Sequence, residues 1–541
     1  MRKGNFAVLF AVAFAALTAA LLPAAVSEPV RTDAGLLSGT DSPAAGVRMF
    51  RGIPFGAPPV GDLRWRAPQP VAKWDGVKKA DKYGPVCVQP PGMGRLNVSV
   101  DLPDSPPRSE DCLYLNVWTG AASATERRPV MVWIFGGAYT EGAGSSPHNE
   151  GHALAAKGVV LVTFNYRLGP FGFLAHPELT KESEHHASGN YAVMDAIAAL
   201  RWVRANIAAF GGNPDNVTIF GESAGAALSA GLVGTPEAKG LFLRAISESG
   251  AWMGLSMGPM VSRERAEEGG GRGATAIGAS TAADLRAKST DEIQKGLRGA
   301  GMIVDGWMVP EDESITFANG RQNQVDILVG SNKDEGSFVG RGPTAQQLTE
   351  RLKARFGDLA DQALKVYPAA SDAEAATSSE RAFRDEMAWH MRLYAERQAK
   401  IGKRAYLYYF AHEPPVDKDR RNLRATHTAE IPYVFNNLKP PRVYPDASSP
   451  ELSSASPAER EYADKVSSYW VNFARTGDPN GKGLSTWPPI KDKATPDRVM
   501  YFGQDKMGAS ATPADYTTPE AFALYDAVYA KQMAGAAAAR R

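Results

Sequence analysis

The sequence "VTIFGESAGAALSAG", residues 217 to 231, joins four residues typical of a strand to a run of small residues typical of a helix. Between them stands Gly-Glu-Ser-Ala-Gly, in which Ser223 has a glycine two positions before it and another two positions after it. Those glycines give room to a sharp turn whose central residue has a strained backbone. The turn would hold the serine hydroxyl above the carboxyl end of a sheet, near the N–H groups of the following helix. The pattern indicates a nucleophile elbow, and a Gly/Ser turn without chemistry is the alternative.

The middle of the chain alternates short apolar runs with helical stretches. The runs are continuous rather than alternating, which is typical of strands buried on both faces of a parallel sheet; they lie near 130–135, 159–167, 216–220, 244–249, 326–330 and 404–410. The stretch "NYAVMDAIAALRWVRANIAAFG" has helical spacing and ends at Gly211, as a crossover helix would. We therefore predict an α/β fold with a large central, mostly parallel sheet and helices on both faces.

Composition and charge exclude several classes of protein. The chain has 541 residues, of which 44% are hydrophobic and 22% charged, as in ordinary globular proteins. Lys and Arg number 60 and Asp and Glu 59, so the balance offers no electrostatic basis for binding nucleic acid or an anionic membrane. We find no internal repeat, and we predict one catalytic domain over residues 28–541.

The amino terminus has the features of a signal peptide over residues 1–27. Arg2 and Lys3 precede an uncharged, Ala-rich apolar run, and Ala25 and Ser27 stand at −3 and −1 of a plausible cleavage site. Pro23 and the small residues favour cleavage over the alternative, an uncleaved membrane anchor. We expect a secreted or periplasmic protein that has no stable membrane insertion after cleavage.

The chain contains two cysteines, Cys87 and Cys112. In an exported protein such a pair indicates a disulfide, which would stabilise the fold by about 3.5 kcal/mol on the chain-entropy model. Two buried free thiols are the alternative.

A serine nucleophile needs a base, and in a sheet of this kind the histidine follows the nucleophile and the acid along the chain. His390 lies in a helical pattern and is interpreted as a surface or packing residue. His412 directly follows the apolar run near 404–410, and His427 lies in a loop before an aromatic segment. The residue pattern alone does not choose between His412 and His427.

The acid and the oxyanion hole also have candidates after predicted strands. Asp334 and Glu335 follow "DILVGSNK", and either would orient an imidazole, whereas a solvated loop carboxylate is the alternative. Gly136, Gly137 and Ala138 follow "WIF", where small residues let backbone N–H groups approach the negative oxygen formed in acyl transfer.

These motifs together resemble the type-B carboxylesterases, the cholinesterase-like branch of the α/β-hydrolases. The resemblance extends from about residue 29 to about residue 530, and its motifs occur in family order: "FRGIPFGAPPVGDLRWRAPQP" (50–70), "EDCLYLNVW" (110–118), "WIFGGAY", "NYRLGPFGFL" (165–174), "NIAAFGGNPDNVTIFGESAGA" (206–226), "SESGA" (247–251), "GSNKDEGSF" and "YWVNFARTGDPN" (469–480).

The resemblance assigns roles that the residue pattern leaves open. It implies a triad of Ser223, Glu335 rather than Asp334, and His427, whose motif continues to Glu430. It further implies that the oxyanion donors are the N–H groups of Gly137, Ala138 and Ala224. Ser249 corresponds to a serine that hydrogen-bonds the acid from behind, and Cys87 with Cys112 to the first disulfide of the family, beside the active-site gorge.

The chain also departs from the family pattern. Phe135 stands where many members have His or Tyr, and Ala138 where many have a third glycine, although its N–H is retained. The loop 88–111 contains no aromatic residue, whereas cholinesterases place a tryptophan there to hold a quaternary ammonium. We therefore expect neutral esters rather than choline esters as substrates.

The resemblance implies a serine hydrolase that cleaves small-molecule carboxylic esters through an acyl-enzyme intermediate and needs no metal or organic cofactor. One alternative is a non-catalytic binding or adhesion protein on the same fold. The other is a lipase, thioesterase or amidase, because the pocket and not the triad selects the leaving group. The sequence does not predict the oligomeric state.

Overall fold

The computed structural model describes residues 26–91, 105–251, 253, 260–340, 342–415, 422–438, 455–504, 506–509 and 518–539. Almost all of the predicted signal peptide lies outside these residues, as does 92–104 of the loop 88–111.

A central sheet of eleven strands organises the described residues. In chain order the strands are β1 (Thr40–Asp41), β2 (Arg48–Pro54), β3 (Tyr114–Thr119), β4 (Arg128–Ile134), β5 (Val160–Phe164), β6 (Gly212–Glu222), β7 (Arg244–Glu248), β8 (Asp326–Asn332), β9 (Ala405–Phe410), β10 (Val499–Phe502) and β11 (Met507–Ala509). Across the sheet the order is β11-β10-β9-β8-β7-β6-β4-β5-β3-β2-β1.

The seven strands from β10 to β5 in that order run parallel, and antiparallel strands are confined to the two edges. Every residue of β5, β7 and β9 is buried, because helices cover both faces of the central strands. The prediction of a large, mostly parallel sheet from continuous apolar runs is therefore confirmed.

Fifteen α-helices lie in the described part of the chain. They are α1 (His152–Ala156), α2 (Gly169–Phe173), α3 (Pro177–Glu182), α4 (Tyr191–Asn206), α5 (Ala224–Gly234), α6 (Arg263–Ala276), α7 (Ala282–Ala287), α8 (Thr290–Gly296), α9 (Glu313–Ala318), α10 (Ala345–Phe356), α11 (Ala360–Val366), α12 (Asp372–Lys400), α13 (Ile431–Val434), α14 (Pro457–Thr476) and α15 (Pro519–Ala539).

Adjacent residues of β7 show that helices cover opposite faces of the sheet. The Ser247 hydroxyl donates to the Ala226 carbonyl of α5 at 3.2 Å. The indole N–H of Trp470, in α14, donates to the Glu248 carboxylate at 2.8 Å. Successive side chains of a strand point to opposite faces, so α5 and α14 lie on opposite sides.

The predicted crossover helix is α4, followed by a 3-10 turn over Ile207–Phe210. Gly211 ends it in the left-handed conformation with φ of 79°, as glycine readily does at the end of a helix.

Three small sheets accompany the central sheet in the described residues. One has the three strands Val30–Arg31, Leu36–Ser38 and Val77–Lys79; the others pair Val86–Cys87 with Arg108–Ser109 and Val261–Ser262 with Ile303–Val304. None of the helices described is both long and apolar enough to span a bilayer.

The two cysteines form a disulfide, as the sequence predicts. Cys87 and Cys112 are bonded, and their Cα atoms are 5.0 Å apart. Both residues are buried, and Cys112 lies two residues before β3. The bond therefore ties the base of the loop 88–111 to the entry of the central sheet.

Candidate active site

Ser223 lies at the tip of the predicted strand-to-helix turn. β6 ends at Glu222 and α5 begins at Ala224, so Ser223 is the single residue between them. Its φ of 55° and ψ of −122° depart from the regions that a residue with a side chain normally occupies. The Ser223 N–H donates to the Glu248 carbonyl at 2.9 Å, and its carbonyl accepts from Ala227 N–H at 2.9 Å, which fixes the strained residue from both sides.

Close packing explains the two glycines of the motif. A Cβ atom on Gly221 would lie 2.5 Å from the Ile134 carbonyl oxygen, and one on Gly225 would lie 2.0 Å from the same atom. The turn therefore packs directly against the end of β4, and a larger residue at either position would force the two strands apart.

Strand ends bring the other candidates to this turn. Glu222 of β6 pairs with Glu248 of β7, which pairs with Gly330 of β8, so these three parallel strands end side by side. Ser223, Ser249 and Glu335 follow the three strands in turn, and the sheet thus gathers residues that are far apart in sequence.

Glu335 is completely buried and accepts three hydrogen bonds. The Ser249 hydroxyl donates to Oε1 at 2.5 Å, and the Asn332 N–H donates to the same oxygen at 2.8 Å. His427 Nδ1 lies 2.5 Å from Oε2. Asp334 instead lies 3.1 Å from the partly exposed Arg424 guanidinium, so of these two neighbouring acids it is Glu335 that faces the imidazole.

His427 is buried beside two aromatic rings, with Phe338 stacked against it at 5.6 Å between ring centres and Phe383 edge-on at 6.1 Å. Its Nε2 lies 3.2 Å from Glu222 Oε1. Within the described residues, no hydrogen bond joins His427 to Ser223 in this arrangement.

The two other histidines lie in separate environments. His412 Nε2 lies 2.8 Å from Glu459 Oε1, and its ring stacks on Tyr462 at 4.1 Å. His390 is buried within α12, where it packs against Trp389. Neither residue contacts Glu335 or the turn at Ser223 among the interactions of the described residues.

Carboxylates surround His427 and control its protonation. Burial alone would lower the pKa of His427, but the carboxylates of Glu222 and Glu335 more than offset this effect and raise the pKa to about 10. Burial raises the pKa of the Glu222 carboxyl well above its usual range, and the charge of His427 opposes that rise. The surroundings therefore stabilise the imidazolium that forms when His427 accepts a proton.

Two further buried glutamates, Glu430 and Glu248, lie near His427 and Glu222. Glu430 accepts from Asn332 Nδ2, and burial with the charge of Glu335 raises its pKa to about 7. Burial likewise raises the pKa of Glu248 well above its usual range. Sequence reasoning assigned no role to Glu222 or Glu248, although both stand inside quoted motifs, because a motif does not show which acidic side chains point inward.

The loop after β4 approaches the serine closely. A Cβ atom on Gly136 would lie 3.0 Å from Ser223 Cβ. Gly137 has a φ of 107° and Ala138 one of 52°, so the backbone turns sharply beside the nucleophile candidate. Ala224 is the first residue of α5, where N–H groups are free of helical partners. No metal-binding group of three or more His, Cys, Asp or Glu residues occurs in the described part of the chain.

Comparisons with known proteins identify the family of this chain. Residues 26–517 match the model of the carboxylesterase family. The chain is 38% identical to fumonisin B1 esterase of Sphingopyxis macrogoltabida over 484 residues, covering 87% of this chain and 86% of that protein. It is 34% identical to para-nitrobenzyl esterase of Bacillus subtilis (strain 168) over 495 residues, covering 87% and 94%.

Solved structures show the same fold. A para-nitrobenzyl esterase superposes with a TM-score of 0.75 at 32% identity, covering 87% of this chain and 95% of that one. Carboxylesterase EST55 of Geobacillus stearothermophilus superposes with a TM-score of 0.72 at 35% identity, covering 88% and 96%. The predicted α/β-hydrolase fold is thus confirmed.

Proposed function

The chain belongs to the carboxylesterase family and is a serine hydrolase of carboxylic esters, and on that basis we propose that Ser223, Glu335 and His427 form its catalytic triad. The observation that carries the proposal is the buried Glu335 carboxylate, held by two other donors and by His427 Nδ1, beside the strained turn at Ser223. A carboxylate in this position orients the imidazole with its Nδ1 protonated and its Nε2 free to act as a base.

In the proposed reaction, Ser223 Oγ forms a bond to the ester carbonyl carbon while its proton passes to His427 Nε2. To accept that proton, Nε2 gives up or shares its contact with Glu222. The imidazolium then donates the proton to the leaving alkoxide as the carbon–oxygen bond breaks. Water attacks the acyl-enzyme and loses a proton to the same nitrogen, which returns it to Ser223 as the acid departs.

The negative oxygen formed at each addition step needs donors that are already in place. We assign this role to the N–H groups of Gly137, Ala138 and Ala224. The close approach of Gly136 to Ser223 and the position of Ala224 at the start of α5 support the assignment. Such donors contribute several kcal/mol to the stabilisation of the transition state. Ser249 would act indirectly, because its hydroxyl holds the Glu335 carboxylate in place.

Ser223→Ala tests the nucleophile. We expect ester hydrolysis to fall by about 10⁴-fold or more, with an unchanged circular dichroism spectrum, because the variant loses the attacking oxygen and no core contact. An organophosphonate should label the wild type at Ser223 and should not label the variant.

The matched control is Ser229→Ala, which removes a buried hydroxyl from α5, the helix that follows Ser223; this hydroxyl donates to the Gly225 carbonyl at 2.9 Å. This control should remain active and labelled. Labelling at another serine, or full activity of Ser223→Ala, would favour a different nucleophile. A folded wild type without ester hydrolysis would favour the binding-protein alternative.

The preferred substrate class is tested by comparing the hydrolysis of soluble esters with that of emulsified lipids, thioesters and amides. The triad treats these classes alike, so their relative kcat/KM values report the pocket. We propose neutral aryl and alkyl esters as the preferred class, and the name of the Bacillus relative makes a para-nitrobenzyl ester a suitable first assay.

We further propose that the protein is exported and that the mature chain begins near Glu28. The disulfide between Cys87 and Cys112 supports export, because such bonds persist in oxidising compartments. Intact mass of the protein from periplasm or medium should match cleavage after Ser27 with no free thiol; a full-length chain or two thiols would contradict the proposal.

A further inference from the structure

The loop that carries two of the proposed oxyanion donors has a strained backbone. This oxyanion loop, residues 135–139, includes two residues with side chains in the left-handed region, Ala138 with φ of 52° and Tyr139 with φ of 61°. Residues with a Cβ atom adopt this conformation at a cost, so it persists only where neighbouring groups hold it. The donors of Gly137 and Ala138 therefore depend on contacts outside the loop.

One neighbouring segment, residues 166–173, holds both ends of the oxyanion loop. At the entry, the buried Tyr166 hydroxyl donates to the Phe135 carbonyl at 2.7 Å. At the exit, the Gly169 N–H donates to the Tyr139 carbonyl at 2.7 Å.

The segment itself is anchored to the scaffold. The Arg167 guanidinium forms a buried ion pair with Asp195 of α4 at 2.7 Å, and the Arg167 N–H donates to the same carboxylate at 2.9 Å. Tyr166, the residue immediately before Arg167, is therefore attached to a rigid element and can transmit that rigidity to the oxyanion loop.

The Phe135 side chain adds a second contact to Tyr166. Its ring stacks on the Tyr166 ring with 4.3 Å between centres and 14° between planes. A Cβ atom on Gly142 would lie 2.2 Å from the Phe135 ring. An apolar, flat side chain fits this narrow space, and the backbone carbonyl of Phe135 supplies the polar contact to Tyr166.

The same carbonyl marks the place where the oxyanion loop meets α5. A Cβ atom on Gly225 would lie 2.6 Å from the Phe135 oxygen. Gly225 follows Ala224, whose N–H is the third proposed donor. The Tyr166 hydroxyl therefore acts at the junction that sets the distance of the Gly137 and Ala138 donors from the Ala224 donor.

We propose that Tyr166 is a positioning residue for the oxyanion hole: its hydroxyl, by holding the Phe135 carbonyl, keeps the donors of the oxyanion loop in register with the donor of α5. This inference rests on the proposed function of the same site. It differs from a role in folding alone, because it predicts a selective loss of affinity for species that carry a negative oxygen.

Tyr166→Phe tests the proposal, since it removes the hydroxyl and keeps the stacked ring. Loss of a whole donor from an oxyanion hole lowers kcat by about 10²- to 10³-fold, so misplacement should cost less. We expect kcat to fall by about 10- to 100-fold with little change in KM. The affinity for a trifluoromethyl ketone, whose adduct with Ser223 carries the negative oxygen, should fall by a similar factor, and that for an uncleaved amide analogue should not change.

The matched control is Tyr469→Phe. Tyr469 is also buried and donates to a backbone carbonyl, that of Ser485, at 2.8 Å, but the rings it packs against in the described residues are those of Trp487 and Phe502, outside the oxyanion loop. This variant should lose thermal stability comparably to Tyr166→Phe while keeping kcat and ketone affinity. Equal losses of activity in both variants, or an unchanged ketone affinity in Tyr166→Phe, would overturn the proposal.

Phe135→Leu provides a second route if Tyr166→Phe is poorly folded, because it keeps the carbonyl and removes the ring stack. Parallel losses of kcat and ketone affinity would again support positioning; failure of both variants to fold would assign Tyr166 a structural role instead. Failure of the proposed function is detected separately, by activity that survives Ser223→Ala.

Discussion

At His427, two carboxylates compete for one imidazole. Glu335 binds Nδ1 at 2.5 Å, while Glu222 lies 3.2 Å from Nε2, the atom that accepts the serine proton in the proposed reaction. The first contact orients the ring for catalysis. The second stabilises the cation and raises the pKa of His427, so we expect Glu222 to affect the pH at which the enzyme works.

His427→Ala should therefore be nearly as damaging as Ser223→Ala, with a loss of about 10⁴-fold, because the members of a triad act as a unit. His412→Ala should retain activity and lose stability, since His412 is bonded to Glu459 away from the turn. Assays of kcat and of thermal unfolding on both variants check this. An inactive, folded His412→Ala beside an active His427→Ala would show that the base is assigned wrongly.

Glu222→Gln should shift the activity profile to lower pH. Burial lowers the pKa of His427 and the charges of Glu222 and Glu335 raise it, so removal of one charge lowers that pKa. The neutral imidazole, which is the proposed base, then persists at lower pH. We expect the acidic limb of kcat/KM to move down in pH relative to wild type. An unmoved limb in a folded variant would mean that Glu222 carries a proton throughout the range.

Among the elements, the loop 88–111 and the strand ends make different contributions to the candidate active site. The strand ends of β6, β7 and β8 position Ser223, Ser249 and Glu335, and the strand register leaves these residues little freedom. The loop is tied at its base by the disulfide and contains no aromatic residue. The aromatic residues described beside His427 are instead Phe338 and Phe383, which come from the segment after β8 and from α12.

A choline ester should consequently show no advantage over a neutral ester of equal acyl length. Cation–π binding to a desolvated tryptophan contributes about 2 kcal/mol, or roughly 30-fold in affinity, and this loop lacks such a residue. The measurement is the ratio of kcat/KM for butyrylcholine to that for a neutral butyrate ester with a leaving group of similar pKa. A ratio well above one would indicate that other aromatic residues, such as Phe338 and Phe383, form a cation site.

The molecule as a whole contains buried carboxyls beyond the active site. Glu313 begins α9, is 2% exposed, and neither carboxyl oxygen has a hydrogen-bond partner within the described residues. It packs against α5, where a Cβ atom on Gly231 would lie 3.0 Å from Oε1. Burial, with the nearby charge of Asp312, raises the pKa of Glu313 well above its usual range.

The Glu313 carboxyl should make the fold less stable as pH rises. At a pH above the pKa that this carboxyl has in the unfolded chain, the unfolded state releases the proton and the folded state keeps it. The free energy of unfolding therefore falls by about 1.4 kcal/mol per pH unit, up to the pKa of the carboxyl in the folded state. Urea unfolding of wild type and Glu313→Gln between pH 6 and 8 measures the difference in slope. Parallel pH dependences would refute a buried, protonated Glu313.

Much of this protein was predictable from local sequence. Gly221, Ser223 and Gly225 specify the elbow because only small residues fit against the end of β4. Continuous apolar runs indicated the parallel strands, since a strand buried on both faces has no polar side. The family resemblance then assigned the roles of acid and base to Glu335 and His427, because the residue patterns alone did not choose between Glu335 and Asp334 or between His427 and His412.

The arrangement around those residues depends on the tertiary structure. Ser249 and Glu335 are 86 positions apart, and Glu335 and His427 are 92 apart, so no local pattern reports their contacts. The sequence alone likewise does not predict that Glu222 and Glu248 point inward. Nor does it predict that the Tyr166 hydroxyl donates to the Phe135 carbonyl. The physical reason is that the local sequence determines which residues form a strand and the turn after it. The pKa values and the positions of the hydrogen-bond donors depend instead on which groups meet where the ends of separate strands come together.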